Sequence, residues 1–259
     1  MNDFLELCER AARAGGQVLL DWVGRFQVRE KGPSDLVTEA DLASQETIRE
    51  LLLKARPDDA FVGEETAGPV DRAAEYQWIV DPLDGTTNYV HQLPGYSTSV
   101  ALVHRGEIVV GAVFDPVSRE CYTAARGEGA WLNGNRLRTS AIESLSQALV
   151  AVSFGAKVAG DAPELQEFQR VVVRAQAIRR LGSAALNLSY LAAGRFDAYW
   201  AGETKAWDVA AGVLLVQEAG GCVTALDGSP FHITRPRFLA CANQVLHAEL
   251  LPLVRRAQA

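Results

Sequence analysis

Between Tyr96 and Arg138 apolar residues recur at every second position, with turn residues at regular intervals. That rhythm constrains the fold more than any other feature of the chain. Ser97 to Val103, Glu107 to Phe114 and Glu120 to Ala124 are predicted strands, broken at His104-Arg105-Gly106 and Asp115-Pro116-Val117-Ser118. The result is an antiparallel meander, with Arg126-Gly127-Glu128-Gly129 and Asn133-Gly134 as further turns. After about Ser140 the texture changes. Short strands (Leu149 to Phe154, Phe196 to Trp200, Gly221 to Thr224, Phe238 to Cys241) alternate with helical stretches near 163–175, 183–193, 207–219 and 244–256. Alternation of that kind is an α/β signature. The chain therefore divides into an α+β half over residues 1–140 and an α/β half over 141–259, although no Pro/Gly/Ser-rich linker marks the break.

Ahead of the meander, Phe4, Leu7, Cys8, Ala11, Ala12, Leu19 and Trp22 recur at helical spacing and predict a helix from about 3 to 23. Gly15-Gly16 inside it costs roughly 1 kcal/mol per glycine relative to alanine, so the pair reads as a close-packing point. Lys31-Gly32-Pro33-Ser34-Asp35 is a predicted turn. Thr38-Glu39-Ala40-Asp41 has the form of a capping box, opening a helix with Leu42, Ile48, Leu51, Leu52 and Ala55 as its inward face. Pro57-Asp58-Asp59 ends that helix, and the short apolar segment Ala60-Phe61-Val62 follows.

The 259 residues carry a formal net charge of -7. That balance argues against nucleic acid or an anionic membrane as the main partner, since both call for a dense basic surface. Cys8, Cys121, Cys222 and Cys241 are scattered without metal-knuckle spacing and read as reduced, packed thiols. The N-terminus lacks the pattern of a secretory signal, and no apolar run approaches the roughly 20 residues of a membrane span. The expected location is the cytoplasm.

Several acids stand where strands or helices begin and end. Asp81-Pro82-Leu83-Asp84-Gly85-Thr86-Thr87-Asn88 follows the apolar run Trp78-Ile79-Val80. Asp-Pro and Asp-Gly are common turn dipeptides, so a plain turn accounts for the octapeptide by itself. A second reading has Asp81 and Asp84 aimed at one point with the Leu83 carbonyl as a third oxygen, a set suited to a hard divalent cation. Gly85 and Thr86 then add backbone N–H groups for an anion. Gly63-Glu64-Glu65 reads equally as a solvated loop pair. Asp41 suits the N3 position of its capping box, and Asp208 suits the first turn of the helix that Trp207-Asp208 opens.

Taken jointly, Gly-Glu-Glu at 63–65, Trp-Ile-Val-Asp-Pro-Leu-Asp-Gly-Thr-Thr-Asn at 78–88, and Trp-Asp-Val-Ala-Ala-Gly at 207–212 followed by Glu-Ala-Gly-Gly at 218–221 resemble the inositol monophosphatase family. The resemblance runs from Lys31 through Asp35-Leu36-Val37-Thr38 and Asp41 to the last strand. It implies a layered α-β-α-β-α sandwich of the inositol monophosphatase and fructose-1,6-bisphosphatase type, with the active site between the halves. It implies a lithium-sensitive phosphoric monoester hydrolase, usually a homodimer, that uses two or three Mg²⁺ ions, with Mn²⁺ as an alternative. Carried over, one metal site uses Asp81, Glu64 and the Leu83 carbonyl. A second shares Asp81 and adds Asp84 and Asp208. A third, weaker ion lies near Glu64, with Asp41, Glu65 and Thr86 around the nucleophilic water.

The same resemblance assigns phosphate oxygens to the N–H groups of Gly85 and Thr86, beside Asp84, and brings Gly182-Ser183-Ala184 to the substrate ring. A glutamate that binds sugar hydroxyls in many members falls at Ala201 here, with Glu203 close by as a substitute. Lys205 stands where animal members carry a histidine. Those departures leave the phosphate chemistry intact and open the identity of the alcohol: inositol 1-phosphate first, then fructose 1,6-bisphosphate, histidinol phosphate or a nucleotide 2′- or 3′-phosphate. A non-catalytic regulator with the same fold is the rival from another class, since some bacterial relatives also bind transcription machinery. His91, His104, His232 and His247 share no ligand spacing and read as surface or loop residues, and Arg179-Arg180 as a solvated pair before a short strand.

Overall fold

The computed structural model describes residues 2–255 apart from Pro33, Ser34, Ala67, Pro69, Arg72 and Ala156. Helix α1 (Asn2–Trp22) leads to the ribbon β1 (Val28–Gly32) and β2 (Asp35–Thr38), then to α2 (Glu39–Ala55). The expected turn at Lys31 to Asp35 falls between β1 and β2, and its Pro33 and Ser34 lie outside the described residues. A seven-stranded sheet follows in chain order: β3 (Ala60–Gly63), β4 (Tyr76–Asp84), β5 (Ser97–His104), β6 (Glu107–Asp115), β7 (Glu120–Ala125), β8 (Gly129–Leu132) and β9 (Asn135–Arg136). Only the first pair, β3 and β4, is parallel; the rest is the predicted meander. The short helix α3 (Thr86–Val90) sits between β4 and β5.

The second sheet has the order β11-β10-β12-β14-β13, with β10 (Leu149–Ser153), β11 (Ala177–Arg179), β12 (Ala198–Ala201), β13 (Cys222–Thr224) and β14 (Phe238–Cys241). Between its strands run α4 (Pro163–Val172), α5 (Ala184–Ala192) and α6 (Ala206–Glu218), and α7 (Gln244–Val254) follows the last. The helix expected to reach 256 ends at Val254, and residue 256 lies outside the described residues. Strand β11 was not foreseen: Arg179 ends a strand instead of preceding one.

Period two on each strand sorts the core into layers. Trp78, Val80, Val100, Leu102 and Ala112 point to α1 and α2, meeting Leu7, Cys8, Ala11, Ile48 and Leu52. Their neighbours Ile79, Ala101, Val113 and Tyr122 point the other way, onto α5 and α6. The far side of α5 and α6 receives Ala151, Tyr199, Ala201, Phe238 and Ala240 from the second sheet. That sheet's opposite face (Val150, Val152, Trp200, Leu239) packs on α4 and α7 through Val171, Leu246, Leu250 and Val254. The stack is α-β-α-β-α. Helix α6 is apolar nearly all round (Val209, Val213, Leu214, Leu215 and Val216 are buried) because a sheet covers it on each side. Each fully buried Leu, Val or Phe contributes roughly 1.5–3 kcal/mol, so the middle layer is where most of the burial energy meets.

Gly15 and Gly16 are close-packing points: a Cβ at 15 would lie 2.5 Å from Ile48 Cδ1, and one at 16 would lie 2.4 Å from Phe114 Cδ1. The inward face of α2 differs from expectation. Thr38 and Asp41 form the capping box, but the buried stripe runs Asp41, Ser44, Gln45, Ile48, Leu52, while Leu42 is 49% exposed and Ala55 faces solvent. Polar residues take the buried face in the first two turns because they hold the neighbouring loops. His247 is another correction: it is buried on α7 and hydrogen-bonds Thr224 Oγ1 at 2.8 Å. Among the described residues no helix is long and apolar enough to cross a membrane.

Candidate active site

The register of β4 against β5 answers why two carboxylates end one buried strand. Asp81 pairs with Ser99 and Asp84 with Ser97, so three steps along β4 match two along β5. A bulge of that kind inserts one residue and returns the chain to the same face. Without it, Asp81 and Asp84 would point to opposite sides of the sheet. With it, both look toward the helix layer, where Ser99 Oγ donates to the Trp207 carbonyl at 3.3 Å at the start of α6. Ser44 Oγ donates to the Pro82 carbonyl at 3.0 Å and pins the bulge to α2.

Each acid is held by local donors. Asp81 accepts from the Leu83 N–H at 3.0 Å. Asp84 accepts from Ser183 Oγ at 2.6 Å and from the N–H groups of Ala185 at 2.6 Å and Ala184 at 3.2 Å, so its carboxylate caps the N-terminus of α5. Asp208 accepts from the Lys205 N–H at 2.8 Å. Asp41 accepts from the N–H and hydroxyl of Thr38 at 2.9 and 2.5 Å. Glu64 and Glu65 stand in a single 3-10 turn after β3, where Gln45 Oε1 accepts from the Glu65 N–H at 2.9 Å. Thr86 Oγ1 donates to the Leu83 carbonyl at 3.1 Å.

Burial and like charge dominate the electrostatics. Asp81 is raised well above the usual carboxylate range, first by burial and then by Glu64, Asp84 and Asp208. Asp208 is raised by burial and then by Asp84, which outweigh the hydrogen bond from the Lys205 N–H; Glu64 adds to the rise, and the Lys205 charge opposes it more weakly still. Burial pushes Asp84 up to about 6 against the hydrogen bonds from Ser183 and α5, with Glu64 adding to the rise. Asp41 is pushed up to about 7, chiefly by burial, with Glu65 and Glu64 adding to it. The acids therefore share one field, and Glu64 acts on all four aspartates.

A cleft of about 430 Å³ opens beside this cluster, walled by Asp84, Gly182, Ala184, Glu203 and Asp208. Ser183 is buried beneath it, with its hydroxyl given to Asp84. Gly85 is the N-cap of α3 at φ 97°, where a Cβ would also lie 2.8 Å from the Gly95 carbonyl. Ala201 is fully buried on β12. Thr87, Asn88, Ser153, Phe154 and Arg180 also line the cleft and were not expected there. Asn88 Nδ2 donates to the Gly95 and Leu181 carbonyls at 2.8 and 2.7 Å, tying α3 to the loop before α5. Arg180 is exposed, as the sequence reading of a solvated residue has it, and its guanidinium lies 5.5 Å over the Phe154 ring. Ser44 and Gln45 had a legible signal, since polar residues recurred in the helical stripe of Ile48 and Leu52.

Among the described residues, no three His, Cys, Asp or Glu side chains close on a point tightly enough to enclose an ion as they stand. The donor set nevertheless fits a hard divalent cation. It is all oxygen and rich in carboxylates, its aspartates are buried, and Asp81 and Asp208 are raised by their acidic neighbours, with Lys205 a weak counter-charge on Asp208.

The molecule is a five-layer sandwich with an acidic cleft, and comparison with known proteins says which class it belongs to. The inositol monophosphatase family matches over residues 1–259. The inositol-1-monophosphatase of Caulobacter vibrioides is 39% identical over 257 residues, covering 97% of this chain and 100% of that one. The Nus factor SuhB of Pseudomonas aeruginosa is 42% identical over 238 residues, 88% of each chain. Among solved structures, the extragenic suppressor protein suhB of Bartonella henselae superposes with a TM-score of 0.92 at 36% identity, covering 99% of this chain and 100% of that one. The chain belongs to the inositol monophosphatase family, and with it to the phosphoric monoester hydrolases.

Proposed function

We propose that this protein is a Mg²⁺-dependent phosphatase of small polyol or sugar monophosphates, with inositol 1-phosphate as the leading substrate. The observation that carries the reading is the β4 bulge, which sets Asp81 and Asp84 on one face opposite Asp208, with Glu64 acting on all three. Glu64, Asp81, Asp84, Asp208 and the Leu83 carbonyl would hold the metal. When bound, Mg²⁺ supplies charge neutralisation and a more acidic water, both needed because a phosphate monoester dianion repels its nucleophile.

The chain's own residues do the rest. Thr86, whose proton goes to Leu83, presents lone pairs to the attacking water. Glu64 and Glu65 follow one another in the turn after β3, and both act on Asp41, the supporting acid. The N–H groups of Gly85 and Thr86 bind phosphate oxygens at the start of α3. Gly182 and Ala184 leave room for the alcohol beside Asp84, and Glu203 faces its hydroxyls across the cleft. Ser183 serves through Asp84, not by direct contact.

A phosphate-release panel over inositol 1-phosphate, fructose 1,6-bisphosphate, histidinol phosphate and nucleotide 2′- and 3′-phosphates, with Mg²⁺ titrated in, tests the reading. Release from none of them at millimolar Mg²⁺ would sink it. Asp84→Asn is expected to lose more than the ten- to hundredfold that loss of an outer-shell partner costs, while the protein stays folded. Activity near wild type in that variant would remove Asp84 from the metal set. Ala201→Glu probes the alcohol pocket: a rise in inositol 1-phosphate turnover by the folded variant supports the assignment, and an unchanged rate places the alcohol elsewhere. The second reading, a regulator of transcription machinery, draws on the Pseudomonas relative's name as a Nus factor. We also infer a cytoplasmic, lithium-sensitive homodimer built from the two halves 1–140 and 141–259, which light scattering and Li⁺ titration check.

A further inference from the structure

The cleft wall opposite Asp84 contains one hydroxyl with no role so far. Ser153 ends β10, lines the cleft, and lies in register with Ala201 on the neighbouring parallel strand β12. Two residues before Ala201, on the same face of the sheet, Tyr199 is fully buried and its Oη donates to Ser153 Oγ at 2.8 Å. A serine hydroxyl has one proton and two lone pairs. Here a lone pair is taken by the phenol, which donates. The Ser153 proton meets no acceptor among the hydrogen bonds of the described residues, so it is left for the cleft. Behind Tyr199, the Asn187 amide on α5 is fully buried, and its two polar atoms make no hydrogen bond of normal geometry, although the amide is near enough to the Tyr199 hydroxyl to act on it as a donor. It stands beside the Tyr199 hydroxyl, on which Asp84 and Asp208 also act. An amide donor there can hold the remaining Oη lone pair and keep the phenol proton on Ser153.

We infer that Ser153 is a specificity residue for the leaving alcohol, donating a hydrogen bond to a substrate hydroxyl oxygen, and that Tyr199 positions it from within the core. The inference rests on the phosphatase reading and deepens it. On this stretch of sheet Ala201 offers only a methyl group, so the polar atom comes from β10 and not from β12. A site built to hydrogen-bond a hydroxyl discriminates against analogues that lack it, because its polar group is then left unpaired.

The test compares kcat/KM for inositol 1-phosphate and for cyclohexyl phosphate, which keeps the six-membered ring and lacks the hydroxyls. Wild-type protein is expected to prefer the former, and Ser153→Ala to lower the ratio about tenfold, the loss of one hydrogen bond. Ser153→Thr, which keeps a hydroxyl, should restore most of it. Tyr199→Phe should lower the ratio in wild type and add nothing in the Ser153→Ala background. A packing defect would scale both substrates alike and leave the ratio where it was. With turnover intact, an unchanged ratio in Ser153→Ala, no wild-type preference, or a Tyr199→Phe effect of equal size in both backgrounds overturns the role of Ser153 alone. Phosphate release from neither ester by the wild-type protein overturns the phosphatase reading and this inference together.

Discussion

Asp84 ties the stability of a helix to the proposed chemistry. Its carboxylate completes the N-terminus of α5 through Ser183, Ala184 and Ala185, which also fixes the direction in which its remaining lone pairs point. Ser183 in turn accepts from the Leu186 N–H at 3.1 Å as the N-cap. Ser183→Ala is therefore expected to cost about 1 kcal/mol in urea unfolding with chelator present. The same change should raise the Mg²⁺ concentration for half-maximal phosphate release by ten- to hundredfold. A normal Mg²⁺ requirement would show that Ser183 acts only as a cap. Asp41 and Asp208 repeat the pattern, since each holds its own helix start while facing the shared acidic field. Reading either as a helix acid or as a site acid from sequence was thus half of one answer.

At the level of elements, β4 and α2 form the part of the site that pattern reading located least well. The bulge at Pro82-Leu83 exists only relative to β5, and period two along β4 alone puts Asp81 and Asp84 on opposite faces. Helix α2 was predicted correctly as a helix with Ile48, Leu51 and Leu52 inward, yet Leu42 and Ala55 face solvent and the polar stripe of Asp41, Ser44 and Gln45 takes the buried face of the first turns. Those polar residues are buried because the bulge and the Glu64 turn bring them partners. Beside α2 on the same face of that sheet, α1 approaches Phe114 through Gly16. Gly16→Ala gains helix propensity but forces a Cβ into the Phe114 ring, so a net loss of about 1–3 kcal/mol is expected from overpacking. Urea unfolding with an unchanged m-value measures it, and a stabilised variant would mean that the α1 contact yields freely.

The whole molecule responds to pH through the acids gathered between its layers. Asp41 and Asp84, raised to about 7 and about 6, stand above their values in the unfolded chain. Asp81 and Asp208 are raised as well, burial being the largest cause in every case. Without metal, the native chain then holds more protons than the unfolded chain between about pH 4 and 7, and stability falls as pH rises through that window. On the proposed function, Mg²⁺ at a hundred times its Kd is expected to add about 2.7 kcal/mol, most where the acids are ionised. Thermal unfolding in chelator should show Tm declining from pH 5 to 8, with added Mg²⁺ raising it more at pH 8 than at pH 5. A metal-free Tm that climbs with pH would mean that the acid cluster is relieved some other way.

The sequence by itself determined the antiparallel meander, the α/β alternation after it, the capping box at Thr38 and the set of acids that the family motifs mark. Those are local properties: strand period, turn chemistry and spacing act over a few residues and survive in any context. Tertiary structure alone decided that Asp81 and Asp84 share a face, that α5 and α6 lie between two sheets, and that Arg180 and Ser153 border the cleft. Each of these depends on pairing between segments far apart in the chain, where register and layer order, and not residue type, choose the neighbour. Ser153 is the plainest case. Nothing near it in sequence marks a polar role, and only its place beside Ala201 and above Tyr199 gives it one.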